Sequence, residues 1–376
     1  MASKGASLPL LDLTRQTGVL RPELERAMRE VLRRAEFILG PQVALFEKEF
    51  ARTCGVRFAV GVASGTDALE LALRAVGVKA GDLVATVSLT FLATADAILH
   101  AGARPLFTEI DPLTYTMDPA DLERRIRRLP SSERRRLKAV LPVHLYGHPC
   151  DMDRIRAVAR KHRLAVVEDC AQAAGAEWKG RLVGGLGGIG CFSFFPTKNL
   201  GAFGDAGAVV THSAAIAEKI RSLRTHGRGR GDLQTALGRN SRLDELQAAI
   251  LRVKLRRLRR WVARRRALAA EYTRRLSGLS GIVCPVEAPE ARHAFHLYVI
   301  RSRRREMIHR ALERRGIASR VYYPVPLHRQ PLHRAANRGV HLPETERACK
   351  EVLALPLFPE LTLSELRRVC SAIASA

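Results

Sequence analysis

The first half of the chain alternates short apolar runs with amphipathic segments, and no other feature of the sequence constrains the fold as strongly. "FAVGVA" (58–63) leads into "SGTDALELALRAVG" (64–77), "DLVATVSL" (82–89) into "FLATADAILHAG" (91–102), and "RPLFTEI" (104–110) into "DPADLERRIRRL" (118–129). "KAVLPVHLY" (138–146) precedes "DMDRIRAVARKH" (151–162), and "LAVVEDC" (164–170) ends in a turn of small residues. Runs that are apolar at nearly every position read as strands buried on both faces. Helices between them make βαβ units and a mostly parallel sheet. Ligands of such sheets bind beyond the carboxyl ends of the strands, so the residues just after each run are the first candidates for a site.

The second half continues with a strand-like "IGCFSFF" (189–195), a helix ending at Gly227 and a Gly/Arg-rich loop over 227–240. Leu246, Ile250, Val253, Leu258 and Val262 recur near a 3.6 period and predict one long helix from Leu243 to Leu276. "FHLYVIRS" (295–302), "REMIHRALERRG" (305–316), "IASRVYY" (317–323) and a last helix over 363–375 suggest a compact α/β unit. The expected organisation is a large domain over 1–242, a connecting helix over 243–276 and a small domain over 277–376.

Composition narrows the function. No run approaches the roughly 18 apolar residues of a membrane span. The start "MASKGASLPLLDLTRQ" has no signal-peptide core, which makes the cytoplasm the expected location. Seven dispersed cysteines without a CxxC pair argue against a disulfide framework or a thiolate zinc site, and no HExxH occurs; no metal is expected. The net charge of +26 raises the question of nucleic acid. The arginines are spread along nearly the whole chain, aromatics make up only 5%, and no helix-turn-helix or RNP-like sequence is present. Solvated helix faces, or attraction of a small anion, fit this pattern better.

"GLGGIG" (185–190) is a literal GxGxxG with Asp205 about twenty residues on, but it runs into a strand-like segment instead of opening a helix. Closely passing backbones explain it better than a dinucleotide site.

"CFSFFPTKNLGAFGDAG" (191–207) brings Lys198 out of an apolar run into a glycine-rich turn, with no acidic residue before Asp205. Desolvation there would depress its pKa, as an amine nucleophile requires. Ser64, Gly65 and Thr66 stand at a strand-to-helix turn, either as a helix cap or as a phosphate seat made of free N–H groups. Asp169 ends a strand, able to cap the next turn or to hold a ring nitrogen protonated. Ser193 lies five residues before Lys198 and offers a hydroxyl. Phe91 either joins the core or stacks on a flat ring. Phosphate seat, carboxylate, aromatic and activated lysine together describe a site for pyridoxal 5'-phosphate.

"SGTDAL", "DCAQAAGA", "CFSFFPTKNLGAFGDAGAVVT" and "GRNSRLDELQAAILRVKL" closely resemble the DegT/DnrJ/EryC1/StrS family of nucleotide-sugar aminotransferases. "ILGPQVALFEKEFA", "LPVHLYGHPCDMD" and "YYPVPLH" extend the likeness over nearly the whole chain. The resemblance implies the aspartate-aminotransferase (type I) fold: a mainly parallel seven-stranded sheet, a smaller C-terminal α/β domain, and a homodimer with a shared active site. It makes Lys198 the Schiff-base lysine, Asp169 the partner of the ring nitrogen and Gln172 that of the ring hydroxyl. Gly65, Thr66 and Ser193 become phosphate contacts, Phe91 the ring-stacking residue, and Asn240 a contact to the partner's phosphate. His226, Arg228, Arg230, Tyr323 and His328 are candidate substrate contacts.

The implied reaction is transfer of an amino group, usually from glutamate, to a nucleotide-diphosphate-linked keto-sugar. C3 of a dTDP-linked 3-keto-6-deoxyhexose is the first expectation, and C4 of a UDP-linked amino sugar the second. A regulatory, nucleic-acid-binding protein on the same scaffold is the alternative of a different class. Desulfuration or decarboxylation with the same cofactor is a further one, for which Cys170 and Cys191 lack a flexible exposed loop. Two positions depart from the family pattern: Ala206, where glycine is frequent and where a positive φ would be strained, and Tyr322, where histidine is common.

Overall fold

The computed structural model describes residues 7–229, 231 and 233–376. Helices α1 (Leu13–Arg34) and α2 (Pro41–Cys54) precede β1 (Phe58–Val62), α3 (Gly65–Ala75), β2 (Leu83–Val87), α4 (Leu92–His100) and β3 (Arg104–Thr108). Then come α5 (Pro119–Arg128), α6 (Ser131–Arg136), β4 (Leu137–Leu141), α7 (Met152–Lys161) and β5 (Ala165–Asp169). A small hairpin, β6 (Glu177–Trp178) and β7 (Arg181–Leu182), leads to β8 (Gly188–Ser193), β9 (Gly207–Thr211) and α8 (Ala214–Leu223). After α9 (Glu245–Leu255) and α10 (Leu258–Leu276) follow β10 (Ala291–Arg292), β11 (Tyr298–Arg301), α11 (Arg305–Arg314), α12 (Pro331–Arg334), α13 (Pro343–Glu351), β12 (Val352–Leu355) and α14 (Leu363–Ala374).

The main sheet has seven strands in the order β1-β9-β8-β5-β4-β2-β3. Only β9 runs against the others, pairing antiparallel with both β1 and β8. Strands β2 and β9 are buried at every position, as the continuous apolar runs predict for a sheet covered on both faces. One core packs α2 and the segments around β4–β8 beneath the sheet, and a second packs α3, α4 and α8 above it. A third core joins Leu268 and Tyr272 of α10 to β11, α11, β12 and α14, and takes in Leu8.

The single long helix expected over 243–276 is two helices, interrupted at Arg256–Arg257. There the Arg257 N–H bonds to the Lys254 carbonyl, one residue short of helical spacing. Val253 of α9 and Trp261 of α10 both pack on α1, one on each side of the break, and further along α10 Leu268 and Tyr272 serve the third core. Neither arginine breaks a helical pattern, which is why periodicity missed the turn. "IASRVYY" (317–323) also forms no regular strand; it touches its neighbours through isolated bridges at Ile317 and Arg320.

"GLGGIG" sits in the turn entering β8. A Cβ on Gly190 would lie 2.2 Å from the Gly184 Cα, so these glycines let two backbone segments cross. Among the described residues, no helix is long and apolar enough to cross a membrane.

Candidate active site

Period-two alternation in "FSFF" accounts for the emergence of Lys198. Phe192 and Phe194 point to one side, where they meet Phe50 of α2 edge-on with ring centroids 5.0 and 5.2 Å away. Ser193 lies on the other side, against α3. Beyond it the chain folds back, with Ala202 N–H donating to the Phe194 carbonyl and Lys198 N–H to that of Phe195. Lys198 is held in this turn. Burial lowers its pKa from 10.5 to about 8, and the Asp169 carboxylate opposes the change only partly.

Asp169 is the last residue of β5 and is buried. Its Oδ1 accepts from Ala171 N–H at 3.1 Å, so it does cap the following turn. Its Oδ2 accepts from the Thr94 hydroxyl at 2.9 Å. Burial raises the Asp169 pKa, and the two hydrogen bonds and Lys198 pull it back. Asp169 therefore caps its turn with one oxygen and meets the Thr94 hydroxyl with the other.

Ser64, not Thr66, caps α3, its hydroxyl accepting from Asp67 N–H at 3.1 Å. Among the described residues nothing in the chain accepts from the N–H groups of Gly65 or Thr66, which stay available at the positive end of the helix. Gly65 sits so close to the end of β8 that a Cβ would come 2.6 Å from Ser193 Cβ. The helix end and the Ser193 hydroxyl thus converge, as a phosphate seat requires.

Phe91 is the N-cap of α4 and is 55% exposed, not core. Its ring centroid is 6.0 Å from that of Tyr323, whose hydroxyl accepts from Gln172 Nε2 at 3.1 Å. Gln172 Oε1 accepts in turn from Tyr146 N–H at 2.8 Å. Tyr323, arriving from beyond α11, closes over Gln172 and Phe91. Every one of these residues follows or ends a parallel strand, except Tyr323.

Other candidates lie elsewhere. His328 is fully buried, with Nδ1 2.7 Å from Ser88 Oγ and Nε2 3.0 Å from Glu346 Oε1. It braces two segments and presents no surface to a substrate; the "YYPVPLH" motif turns inward after Val325. His226 and Arg228 are exposed on the loop between α8 and α9, and Arg230 lies outside the described residues. Asn240 is exposed, while its neighbours dock on α3: Arg239 Nη1 reaches Asp67 at 2.8 Å and Glu70 at 2.5 Å, and Ser241 Oγ reaches Asp67 at 2.7 Å. Ala206 does not adopt a positive φ and so occupies its turn unstrained.

Sequence reasoning missed Thr94, Lys254 and the Arg239–Asp67 link. A threonine three residues after Phe91 in an otherwise apolar helix start was the available signal for Thr94. Behind Asp169, the ligand atoms of His144, Glu168 and Cys170 lie within 4.8 Å of one another. They are already committed: Glu168 accepts from Gly184 and Gly187 N–H and from His144 Nε2, and His144 Nδ1 accepts from Cys150 N–H. An imidazole accepting at Nδ1 is neutral, so this cluster is a hydrogen-bonded brace. Cys170 and Cys191 are buried and their thiols are pushed up by burial, which disfavours a persulfide carrier.

Strand order, the single reversed strand and a desolvated amine at the carboxyl ends define a type I fold of the pyridoxal phosphate-dependent aminotransferases. The chain belongs to the DegT/DnrJ/EryC1/StrS aminotransferase family, which matches it over residues 19–374. It is 45% identical to a pleiotropic regulatory protein of Geobacillus stearothermophilus, covering 98% of each chain. It is 44% identical to a UDP-N-acetyl-3-dehydro-alpha-D-glucosamine 3-aminotransferase of Acidithiobacillus ferrooxidans, over 99% of this chain and 98% of that one. A dTDP-3-amino-3,4,6-trideoxy-alpha-D-glucose transaminase of Streptomyces venezuelae is also 44% identical, over 97% of this chain and 95% of that one. Among solved structures, S. venezuelae DesV superimposes with a TM-score of 0.93 at 43% identity over 98% of both chains.

Proposed function

We propose that this enzyme uses pyridoxal 5'-phosphate to transfer an amino group from L-glutamate to C3 of a dTDP-linked 3-keto-6-deoxyhexose, acting as a homodimer in deoxyamino-sugar biosynthesis. The observation that carries the reading is the convergence of Lys198, Asp169 and the α3–Ser193 seat. The donor set fits the cofactor: Gly65 leaves no room for a side chain where a phosphate would meet the helix end, and Asp169 lies near enough to Lys198 for each to act on the other's charge.

Pyridoxal phosphate supplies an aldehyde that links to amines and a ring that accepts electrons. Lys198 Nζ would hold that aldehyde. Asp169 would hold a proton on the ring nitrogen. Lys198 Nζ would also take the α-proton of the donor, a task suited to an amine whose pKa is near 8. Thr66, Gly65 and Ser193 would bind the phosphate, and Phe91 with Tyr323 would exclude water from the ring.

The names of the two sugar-enzyme relatives support amination at C3 over C4. The first of them carries uridine diphosphate, which makes a UDP-linked 3-keto-sugar the second reading. The exposed Asn240, without a side-chain contact to its own Lys198 cluster among the described residues, supports a site shared between two subunits. The regulatory name of one relative gains no support here, because a regulator has no need of a desolvated Lys198. Coupled assays of dTDP- and UDP-linked 3-keto-sugars with glutamate test the proposal. Product with neither carrier, or with the C4 ketone alone, would contradict it.

A further inference from the structure

Thr94 stands at the third position of α4, between Ala93 and Ala95, and is 1% exposed. A buried hydroxyl without a partner costs free energy, and this one has two partners. Its Oγ1 lies 2.9 Å from Asp169 Oδ2 and 2.9 Å from Thr90 Oγ1. A carboxylate can only accept, so Thr94 donates to Asp169, and Thr90, also buried, donates to Thr94. The result is a two-hydroxyl chain, Thr90 to Thr94 to Asp169, in which each bond polarises the next. The same turn of helix carries Phe91 at its N-cap.

We propose that Thr94 is a positioning residue for Asp169: its hydroxyl, backed by Thr90, aims the carboxylate and ties it to the turn that presents Phe91, so acid and aromatic platform are set as one unit. This inference rests on the reading of the site as one for pyridoxal phosphate. The groups that act on Asp169 are Thr94 from α4, the Ala171 N–H and Lys198 from the turn after β8; His144, after β4, faces it as a neutral imidazole, since its Nδ1 accepts from Cys150 N–H. Cys170, Cys191 and Tyr323 also face it and stay neutral, since burial raises each of them. Of all these, Thr94 is the only side chain hydrogen-bonded to Asp169 among the described residues. Burial pushes Asp169 toward its neutral form and the Thr94 bond resists it. Removing the hydroxyl leaves burial less opposed, so the carboxylate takes up a proton at higher pH.

The test compares wild type with Thr94→Val, which keeps the shape and removes the hydroxyl, and with Thr94→Ser, which restores it. Three quantities are read: affinity for pyridoxal phosphate from the visible absorbance, the Asp169 titration midpoint in cofactor-free protein from its carboxyl ¹³C resonance, and the acid limb of kcat/KM. Thr94→Val is expected to bind the cofactor roughly tenfold more weakly. Its Asp169 midpoint and acid limb are expected to move up together, and Thr94→Ser to return both. A Thr94→Val protein matching wild type in affinity and midpoint overturns the inference. Should Thr94→Val unfold, Thr90→Val replaces it: a smaller shift in the same direction supports the chain, and none overturns it. Wild-type protein that binds no pyridoxal phosphate overturns the reading of the site and this inference with it.

Discussion

The ammonium of Lys254 donates to the carbonyl of Gly201 at 2.8 Å, three residues beyond Lys198. It also lies 4.4 Å from the centroid of the Phe203 ring. Gln247, two turns earlier on α9, accepts from Phe203 N–H at 2.8 Å. One face of α9 thus pins the turn that carries Lys198. Lysine is a costly residue for this purpose, since Lys254 is 1% exposed and burial lowers its pKa to about 8.

That cost has a pH signature. An unfolded lysine titrates near 10.5, so between about 8 and 10.5 the unfolded chain binds more protons at this position than the folded one. The folded state is penalised in full below pH 8, and the penalty fades as pH rises. Denaturant titrations of wild type and Lys254→Met at a series of pH values check this. Wild type is expected to gain on the variant by up to roughly 3 kcal/mol as pH rises through that window. A difference independent of pH would mean that the ammonium stays charged in the fold.

Gly65→Ala places a methyl group 2.6 Å from Ser193 Cβ, where a strand end and a helix end already touch. Overpacking of this kind costs roughly 1–3 kcal/mol. The displaced atoms are those of the phosphate seat. Cofactor titration is expected to show at least about tenfold weaker binding, with a modest fall in the thermal midpoint. Unchanged affinity would move the phosphate away from α3.

Much of this was legible in the sequence. The buried strands announced themselves as unbroken apolar runs, and the residues following them are those the fold brings together around Lys198 and Asp169. Lys198 was legible because an ammonium after Phe192 and Phe194 had no local partner. Two kinds of feature were not. Thr94 and Lys254 act through atoms distant in sequence, Asp169 and Gly201, so no local pattern marks them. His328 differs for the reverse reason: its place in "YYPVPLH" made it a candidate substrate contact, and only packing on Ser88 and Glu346 reveals that it is interior. The turn between α9 and α10 was likewise hidden, because no residue there breaks a helical pattern.

Asp169→Asn removes the one negative charge that holds the Lys198 pKa up. In cofactor-free protein the Lys198 amine is then expected to titrate below about 8, as read from the pH dependence of its labelling by an amine-reactive probe. In the complete enzyme the neutral amide no longer holds a proton on the ring nitrogen, and turnover is expected to fall at least about a hundredfold. Retained turnover would remove Asp169 from the chemistry.

The visible absorption spectrum of the protein with pyridoxal phosphate, before and after excess L-glutamate, tests the central claim most directly. Wild type is expected to show a protein-bound band that glutamate bleaches, and Lys198→Ala, with its fold intact, to show no such band and no turnover. A band of equal strength in Lys198→Ala, or none in wild type, would contradict the assignment of Lys198 as the residue on which the chemistry depends.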